Sequence, residues 1–307
     1  MDLKIQNALE KSYITYKDLK EGAPADYITA LSHANPNHFG IAAMTIDGNI
    51  QSIGDTKIMF SIQSISKVLT LMLAFREFGI DEVYKRIATE PSGEKYNSVE
   101  LMNDGRPYNP LMNAGAIATA GMLYEKYEND AESKILEFIS TIANEKLDVD
   151  YNIKTSESDI GARNMAIGYL LNHANLIPND VRSVVETYNF ACSINVNAEI
   201  LASISACLAN KGVHPRSNIR VLDPLPIQHT LSIMLMCGMY DFAGTWAVDI
   251  GVPAKSGVSG GIIAPVVGRF GLGLYSPLID KLGNSVRGIK VCSMLDDELD
   301  IHAIDVV

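Results

Sequence analysis

The spacing of apolar positions predicts strands near both ends of the chain and helices in its middle. Residues 3–18 carry apolar side chains at helical spacing, which predicts an amphipathic leading helix. Residues 40–46 and 49–53 have strand-like patterns on either side of the Asp47–Gly48 pair, which is typical of a β-hairpin turn. A further short strand is predicted at 57–60.

Residues 65–240 have a mainly helical pattern, and strand patterns return after them. Helices are predicted at 65–78, 81–88, 113–127, 131–145, 159–172, 178–189, 197–210 and 227–239. Strands are predicted at 245–250, 257–267 and 269–275, followed by a last helix at 284–298. One sheet completed by both chain ends around a helical insertion is an α+β arrangement. We therefore predict a single unit, 1–307, with a sheet-containing lobe at about 1–64 and 241–307 and a helical lobe at about 65–240.

Composition and charge indicate a folded acidic protein and argue against several kinds of partner. The 307 residues are 47% hydrophobic and 20% charged, with a formal net charge of −11. This charge disfavours binding to nucleic acid or to an anionic membrane surface. No apolar run approaches the roughly 18 residues of a transmembrane helix, and the first residues lack a signal-peptide pattern. The four cysteines form no Cys-x-x-Cys pair, so we expect reduced thiols and a cytoplasmic location.

Ser64 and Lys67 are a candidate nucleophile and base. If a helix begins near Ser64, residues three apart project from one helical face. A lysine can accept the serine proton when burial lowers its pKa towards neutrality, and the apolar run after Lys67 predicts such burial. A second Ser-x-x-Lys, at 92–95, contains a glycine after Pro91 and is predicted to form a turn. Spacing alone is weak evidence, because this motif arises by chance about once in a chain of this size.

A second lysine motif, Lys255–Gly257, precedes an apolar stretch. Penicillin-binding enzymes and β-lactamases pair Ser-x-x-Lys with a later Lys-Thr-Gly, of which Lys-Ser-Gly is a variant. The alternative is that this lysine is exposed in a turn. The Ser-x-Asn motif of the same class is matched by Ser193 and Asn195, whereas Tyr188 or Tyr240 could relay a proton instead. Spacing does not choose among these residues.

Other patterns in the sequence indicate no further site. The segment 257–261 matches Gly-x-Ser-x-Gly, but no helix pattern follows it, so we treat the match as a coincidence. Its last two glycines instead allow the backbone to approach a ligand closely. The six histidines are scattered and no cysteine cluster exists, so no metal is predicted. No Gly-x-Gly-x-x-Gly fingerprint follows a strand, so no dinucleotide cofactor is predicted.

Blocks of residues between about 25 and 275 give the chain a specific resemblance to a known family. These blocks are Ala25–Ile28, Gln63–Lys67, Glu90–Gly93, Arg106–Ile117, Glu157–Ser158, Ala162–Asn164, Glu186–Tyr188, Gly238–Asp241 and Pro253–Ile262. In this order the chain resembles the serine-dependent glutaminases in their short bacterial form. The resemblance implies a β-lactamase/transpeptidase-like fold, with an antiparallel sheet flanked by helices. It also implies cofactor-independent hydrolysis of L-glutamine to L-glutamate and ammonia by a homodimer or homotetramer.

The resemblance further implies roles for individual residues. Ser64 would attack the side-chain amide carbon of glutamine with Lys67 as its base, and Tyr240 would pass a proton to the departing ammonia. Val258 would contribute a backbone N–H to the oxyanion hole together with Ser64, and one such donor is typically worth about 10²–10³ in rate. The substrate-binding set implied in this way is Tyr27, Ser64, Asn113, Glu157, Asn164, Tyr188, Tyr240 and Val258.

This polar set suits a free amino acid as ligand. Glu157 can neutralise an ammonium group, while the amides and phenols can hydrogen-bond either charged group. Taken singly, each residue has an ordinary alternative: Asn113 as a helix N-cap, Glu157 as a first-turn carboxylate, and Tyr188 and Tyr240 as core aromatics. Which amide or hydroxyl faces which end of the ligand stays open.

Two other functions are compatible with the sequence. A penicillin-recognising hydrolase or transpeptidase would use Ser64, Lys67, Ser193, Asn195 and Lys255, but such enzymes work outside the cytoplasm. A catalytically silent amino-acid-binding protein would bind glutamine without turnover. Release of ammonia from glutamine separates the leading hypothesis from both.

Overall fold

The fold combines one main sheet, whose strands come from distant segments of the chain, with helices inserted between those segments. In the computed structural model, residues 2–159 and 161–304 are described. The strands are β1 (Gly40–Thr45), β2 (Ile50–Gly54), β3 (Phe60–Ser61), β4 (Asn195–Val196), β5 (Lys255–Ser256), β6 (Gly261–Val266) and β7 (Phe270–Tyr275). The helices are α1 (Asp2–Tyr16), α2 (Thr29–Ser32), α3 (Ser66–Phe78), α4 (Ile80–Arg86), α5 (Asn113–Tyr127), α6 (Ala131–Ala143), α7 (Tyr151–Asp159), α8 (Ala162–His173), α9 (Val181–Cys192), α10 (Ala198–Ala209), α11 (Pro224–Cys237), α12 (Ala243–Asp249) and α13 (Val286–Leu299).

The main sheet has five antiparallel strands in the order β2-β1-β7-β6-β5. Strand β1 pairs with β7 so that Gly40 lies opposite Tyr275 and Thr45 lies opposite Phe270. Strands β1 and β2 precede helices α3 to α12, while β5 to β7 follow them. The sheet is therefore built from both ends of the chain. This arrangement confirms the predicted α+β class. A separate two-stranded pair joins β3 to β4.

Both faces of this sheet are covered by helices. Ile41 and Leu272 pack in one apolar cluster that includes residues of α1, α12 and α13. The neighbouring positions Ala42 and Ile263 belong to the larger cluster formed with the inserted helices. This alternation follows from the two-residue period of a strand. The central strands are therefore buried along their whole length.

Glycines in β7 let helix α10 lie directly against the sheet. A Cβ atom at Gly271 or Gly273 would overlap backbone atoms of α10. Neither glycine has a left-handed backbone, so the requirement here is space and not conformational freedom. The absence of two side chains thus fixes how closely the helices approach the strands.

The predicted helices are all present, and the observed ends lie within three residues of the predicted ones. Helix α5 matches its predicted bounds, 113–127. Residue 160, inside the predicted helix 159–172, lies outside the described residues. Helix α7 was not predicted, because its sequence is polar and lacks a clear apolar stripe. The division into a sheet-containing lobe and a helical lobe stays a prediction.

The strand predicted at 245–250 is wrong, because this segment forms helix α12. In a strand, positions 246, 248 and 250 would share one face. In the structure Trp246 and Ile250 are fully buried, whereas Val248 is 77% exposed. The burial thus follows a helical period, and the Trp246 Nε1–H donates to the carbonyl of Val252 at 2.7 Å.

Two other strand predictions require new bounds. The strand predicted at 57–60 is limited to β3, since Ile58 closes a turn by donating to the carbonyl of Asp55 at 3.3 Å. The strand predicted at 257–267 begins only at Gly261. The four residues before it form a tight turn between β5 and β6, in which Gly257 N–H donates to the Gly261 carbonyl at 2.9 Å. This turn carries Val258 towards the site described next.

Candidate active site

Ser64 lies at the entrance to helix α3, in the 3₁₀ turn Gln63–Ile65. The strand before it is anchored because Ile62 N–H donates to the Ile194 carbonyl at 2.8 Å. Gln63 has a left-handed backbone, with φ of 51°, which is uncommon for a residue with a side chain. Ser64 is thereby presented at the base of a pocket while its own side chain is only slightly exposed. The predicted helix start near Ser64 is confirmed.

Lys67 lies one helical turn further along α3 and is almost completely buried. Its Nζ donates to Asn113 Oδ1 at 2.6 Å and to the Leu111 carbonyl at 3.2 Å. Burial lowers the pKa of Lys67 to about 8, although the nearby Cys192 and Glu157 act in the opposite direction. A neutral lysine has two N–H bonds and one lone pair. Since both donors are occupied, the lone pair is the part of the amine left to accept a proton.

Asn113 connects Lys67 to the rest of the pocket. It is the first residue of α5, where Met112 occupies the N-cap, so the N-cap alternative for Asn113 is wrong. Its Oδ1 also accepts from the Tyr188 hydroxyl at 3.3 Å, and its Nδ2 donates to Asn164 Oδ1 at 3.0 Å. Four predicted site residues from helices α3, α5, α8 and α9 are therefore joined in one hydrogen-bonded network.

Glu157 supplies a buried carboxylate at the side of the pocket. It lies in the last turn of α7, so its interpretation as a first-turn carboxylate is wrong. Burial raises the pKa of Glu157, while a hydrogen bond with Gln63 and the charge of Lys67 act to lower it. A carboxylate in this position is costly unless a cation offsets it. The site therefore favours a ligand with a positive charge.

Tyr240 lies beside Ser64, in the 3₁₀ turn Tyr240–Phe242 that precedes helix α12. Its hydroxyl donates to the Ser256 carbonyl at 3.1 Å, and the neighbouring Ser64 hydroxyl acts to lower the pKa of the phenol. Burial raises the pKa of Tyr240, so the phenol keeps its proton at neutral pH. Like Gln63, Tyr240 has a left-handed backbone, with φ of 53°. Both residues that flank the Ser64 hydroxyl are thus held in disfavoured conformations.

These residues surround a pocket of about 430 Å³. Every predicted substrate-binding residue except Tyr240 lines it: Tyr27, Ser64, Asn113, Glu157, Asn164, Tyr188 and Val258. Tyr240 lies next to Ser64 but lines a neighbouring cavity and not this pocket. Tyr27 is half exposed at the rim, and the other residues form the walls and base. The pocket is large enough for a small amino acid and is lined mainly by polar groups.

The structure adds pocket residues that the sequence did not single out. Gln63 hydrogen-bonds Glu157, and the Tyr96 hydroxyl donates to the Tyr27 hydroxyl at 3.3 Å. The Tyr96 ring also lies 4.9 Å from the Tyr240 ring, centre to centre. Arg163 and Asn97 complete the lining. Gln63 and Arg163 adjoin predicted residues in the sequence, so the motif blocks contained this signal, whereas Tyr96 lies in a loop with no pattern.

Lys255 is buried, and the alternative of an exposed turn lysine is wrong. Its Nζ donates to the Ser256 carbonyl at 2.5 Å and lies 4.1 Å from the centre of the Tyr240 ring. Burial and the nearby charge of Lys67 hold the pKa of Lys255 well below its usual value. Lys255 therefore supports Tyr240 and does not line the pocket.

The Ser-x-Asn match does not reach the pocket. The Ser193 hydroxyl is buried and donates to the Asn189 carbonyl at 2.8 Å. Asn195 Nδ2 donates to Asp148 Oδ1 at 3.0 Å, beside a different cavity. The arrangement that a penicillin-recognising enzyme requires is therefore not assembled by these two residues.

The described residues contain neither a cluster of metal ligands nor a single helix suited to cross a membrane. Within residues 2–159 and 161–304, no group of three or more His, Cys, Asp or Glu side chains is placed to hold a metal ion. In the same part of the chain, no single helix combines the length and apolar character needed to cross a membrane. Helix α11 with the segment Tyr240–Asp249 meets that test only as a pair bent by 88°, and only by length and composition.

Comparison with known proteins places this fold and pocket in a defined class. The structure superposes on a solved probable glutaminase, ybaS, with a TM-score of 0.95, 35% identity and 99% coverage of both chains. It also superposes on Mglu in its glutamate form, with a TM-score of 0.93 and 34% identity over 99% of this chain and 70% of that one. The class is that of proteins with the β-lactamase-like fold, as predicted.

Sequence comparison defines the family. A family model described as Glutaminase matches residues 22–304. Glutaminase 2 of Bradyrhizobium diazoefficiens is 45% identical over 284 residues, which are 92% of this chain and 46% of that protein. The chain thus spans about half the length of that relative. The chain belongs to the glutaminase family, which confirms the resemblance.

Proposed function

We propose that this protein hydrolyses L-glutamine to L-glutamate and ammonia through a glutamyl ester on Ser64. The observation that carries the proposal is the position of the Ser64 hydroxyl, between Tyr240 and a pocket that also contains the buried Glu157 carboxylate. A nucleophile, a proton donor and a group that attracts an ammonium are thereby brought to one place.

The chemistry begins when the Ser64 oxygen attacks the side-chain amide carbon. Lys67 accepts the serine proton on its free lone pair. Negative charge then develops on the amide oxygen, where the backbone N–H groups of Ser64 and Val258 stabilise it. The C–N bond breaks as Tyr240 donates its proton to the departing ammonia. Water next attacks the ester carbon and gives a proton to the Tyr240 phenolate. The bond to the Ser64 oxygen then breaks as that oxygen takes back the proton held by Lys67, so that glutamate leaves and all three groups return to their starting states.

The pocket polarity supports a free amino acid as the substrate. Glu157 binds the α-ammonium, and burial of that carboxylate strengthens the attraction. In this proposal the amides and phenols of the hydrogen-bonded network bind the α-carboxylate, and their polarity and their position in the pocket support this. Binding these two charges at one end directs the side-chain amide of glutamine towards Ser64.

The experiment that tests the proposal is ammonia release from L-glutamine by the purified protein, with no cofactor added. Added hydroxylamine should intercept the ester and give γ-glutamyl hydroxamate. Failure of the wild-type protein to release ammonia would disprove the proposed activity. Turnover of glutamine would exclude the silent binding protein. Labelling of Ser64 by a fluorescent penicillin, with no glutamine turnover, would instead support the penicillin-recognising function.

The proposal extends to assembly and location. A homodimer or homotetramer is supported by helix α8, whose outward side chains Tyr169 and Leu170 are 61% and 43% exposed. Exposed apolar side chains grouped on one helix are typical of an interface. A cytoplasmic location is supported by the four cysteines, all of which are free thiols.

A further inference from the structure

The left-handed backbone of Tyr240 requires an explanation from its surroundings. For a residue with a Cβ atom this conformation brings the side chain too close to the backbone, so it persists only where neighbouring groups hold it. The φ angle of Tyr240 is the rotation about its N–Cα bond, which joins the Met239–Tyr240 peptide to the Tyr240 Cα atom. Groups that hold the plane of that peptide therefore help to set the direction in which the Tyr240 side chain leaves the backbone.

Two hydrogen bonds fix this peptide plane through the Met239 carbonyl. One comes from Phe242 N–H at 3.1 Å and closes the local 3₁₀ turn. The other comes from Asn284 Nδ2 at 3.3 Å, 45 residues away in the sequence. Asn284 is fully buried. Its side chain thus provides a long-range hydrogen bond to the peptide that precedes Tyr240.

The backbone of Asn284 is held by hydrogen bonds within the short loop 280–284. The Asp280 carboxylate accepts from the N–H groups of Leu282 and Asn284 at 2.8 and 2.9 Å. Asp280 N–H in turn donates to the Asn284 carbonyl at 2.8 Å. The loop is therefore closed at both ends, and helix α13 begins directly after it.

The same loop touches the Tyr240 ring and the proposed oxyanion residue. Gly283 has a left-handed backbone, with φ of 97°. A Cβ atom there would lie 3.3 Å from Cε2 of Tyr240 and 3.4 Å from Cγ1 of Val258. Gly283 thus packs against one side of the ring, while Lys255 Nζ lies 4.1 Å from the ring centre.

We propose that Asn284 is a positioning residue for amide hydrolysis, which holds the Met239–Tyr240 peptide so that the Tyr240 hydroxyl stays beside Ser64. This inference rests on the proposed function, in which Tyr240 protonates the departing ammonia. Asn284 itself lies outside the substrate pocket. Its loss should therefore impair proton donation to the leaving group and leave substrate binding intact.

The test compares two leaving groups in Asn284→Ala. Ammonia needs a proton to depart, whereas p-nitrophenolate, released from the γ-p-nitrophenyl ester of glutamate, does not. We expect kcat for glutamine to fall about 10²-fold, the lower end of what general-acid catalysis contributes, with KM little changed. The first-turnover burst of p-nitrophenolate should change about threefold or less.

The matched control is Asn197→Ala, another buried asparagine outside the pocket. Asn197 caps helix α10, where its Oδ1 accepts from Ile200 N–H at 2.9 Å. This control should lose stability and keep both rates. If Asn284→Ala folds poorly, Asn284→Asp preserves the shape and removes the donor, and the same selective loss is expected. Equal losses with both leaving groups, or a raised KM alone, would overturn the proposal.

A crystal structure of the same variant separates this inference from the proposed function. We expect φ of Tyr240 to leave the left-handed region and the hydroxyl to move away from Ser64. If Tyr240 keeps its conformation and its contact with Ser64, Asn284 does not position it. This outcome is decisive even if the wild-type protein releases no ammonia, because that result concerns the reaction and not the peptide.

Discussion

At the residue scale, Lys67 and Lys255 show how surroundings divide one residue type into two roles. Both are buried, and burial lowers the pKa of both. Lys67 donates to the Asn113 amide oxygen, which also accepts from Tyr188, whereas Lys255 donates to the Ser256 carbonyl and lies over the Tyr240 ring. Only Lys67 is therefore connected to the network that lines the pocket.

Replacement of the nucleophile is the first prediction at this scale. Ser64→Ala should lower kcat by about 10⁴-fold or more, because no other group can form the ester. Ammonia release measures the loss. The control is Ser193→Ala, whose hydroxyl bonds only a nearby carbonyl and should keep its activity. Wild-type rates in Ser64→Ala would contradict the mechanism.

The second prediction concerns pH. As the proposed base, Lys67 would act only when neutral, and burial lowers its pKa to about 8. The value of kcat/KM should therefore rise about tenfold per pH unit below 8 and level off above it. Tyr240, whose pKa is raised, stays protonated across this range. A profile that is flat between pH 6 and 8 would exclude Lys67 as the base.

Glu157→Gln gives the third prediction. The change keeps the size of the side chain and removes the charge that faces the substrate ammonium. We expect KM to rise about 10–100-fold, the equivalent of one charged hydrogen bond, with a smaller change in kcat. The exposed Glu145→Gln serves as control. An unchanged KM in Glu157→Gln would show that the ammonium binds elsewhere.

At the scale of elements, the contact between β7 and α10 depends on glycine. Gly271→Ala should lower the free energy of unfolding by about 1–3 kcal/mol, because the added methyl meets helix backbone that cannot turn aside. Gly244→Ala in α12, where a Cβ meets nothing within 4 Å, should instead stabilise by up to about 1 kcal/mol. Chemical denaturation compares the two. Equal effects would contradict the role of the close contact.

The sequence predicted most elements because their apolar periods are clear, as in α5 and in the hairpin of β1 and β2. It failed at 245–250, where the pattern of so short a segment fits a strand as well as a helix until the burial of Trp246 is known. It singled out Ser64 and Lys67 as candidates from their spacing, which alone is weak evidence, together with the motif blocks that surround them; their roles stay a prediction. The hydrogen bond from Asn284 to the Met239 carbonyl could not be predicted, because the two residues are 45 positions apart and only the fold brings them together.

At the scale of the whole molecule, assembly gives the fifth prediction. Light scattering should report the mass of a dimer or tetramer of the 33.4 kDa chain. A double change, Tyr169→Glu with Leu170→Glu, should lower that mass, because two charges would enter an apolar contact. A monomeric wild-type protein would contradict the proposal.

The glycine contact of β7 has a consequence for how the pocket opens. Ser64 lies just before the inserted helices, Val258 lies in the turn between β5 and β6, and α10 packs directly onto β7 at Gly271 and Gly273. A hinge motion that separated the helices from the sheet would have to break the contact between α10 and β7. In the proposed mechanism the distance between the nucleophile Ser64 and the oxyanion donor Val258 is therefore set before substrate arrives. We expect substrate to enter past the half-exposed rim residue Tyr27 without a large movement of the helices.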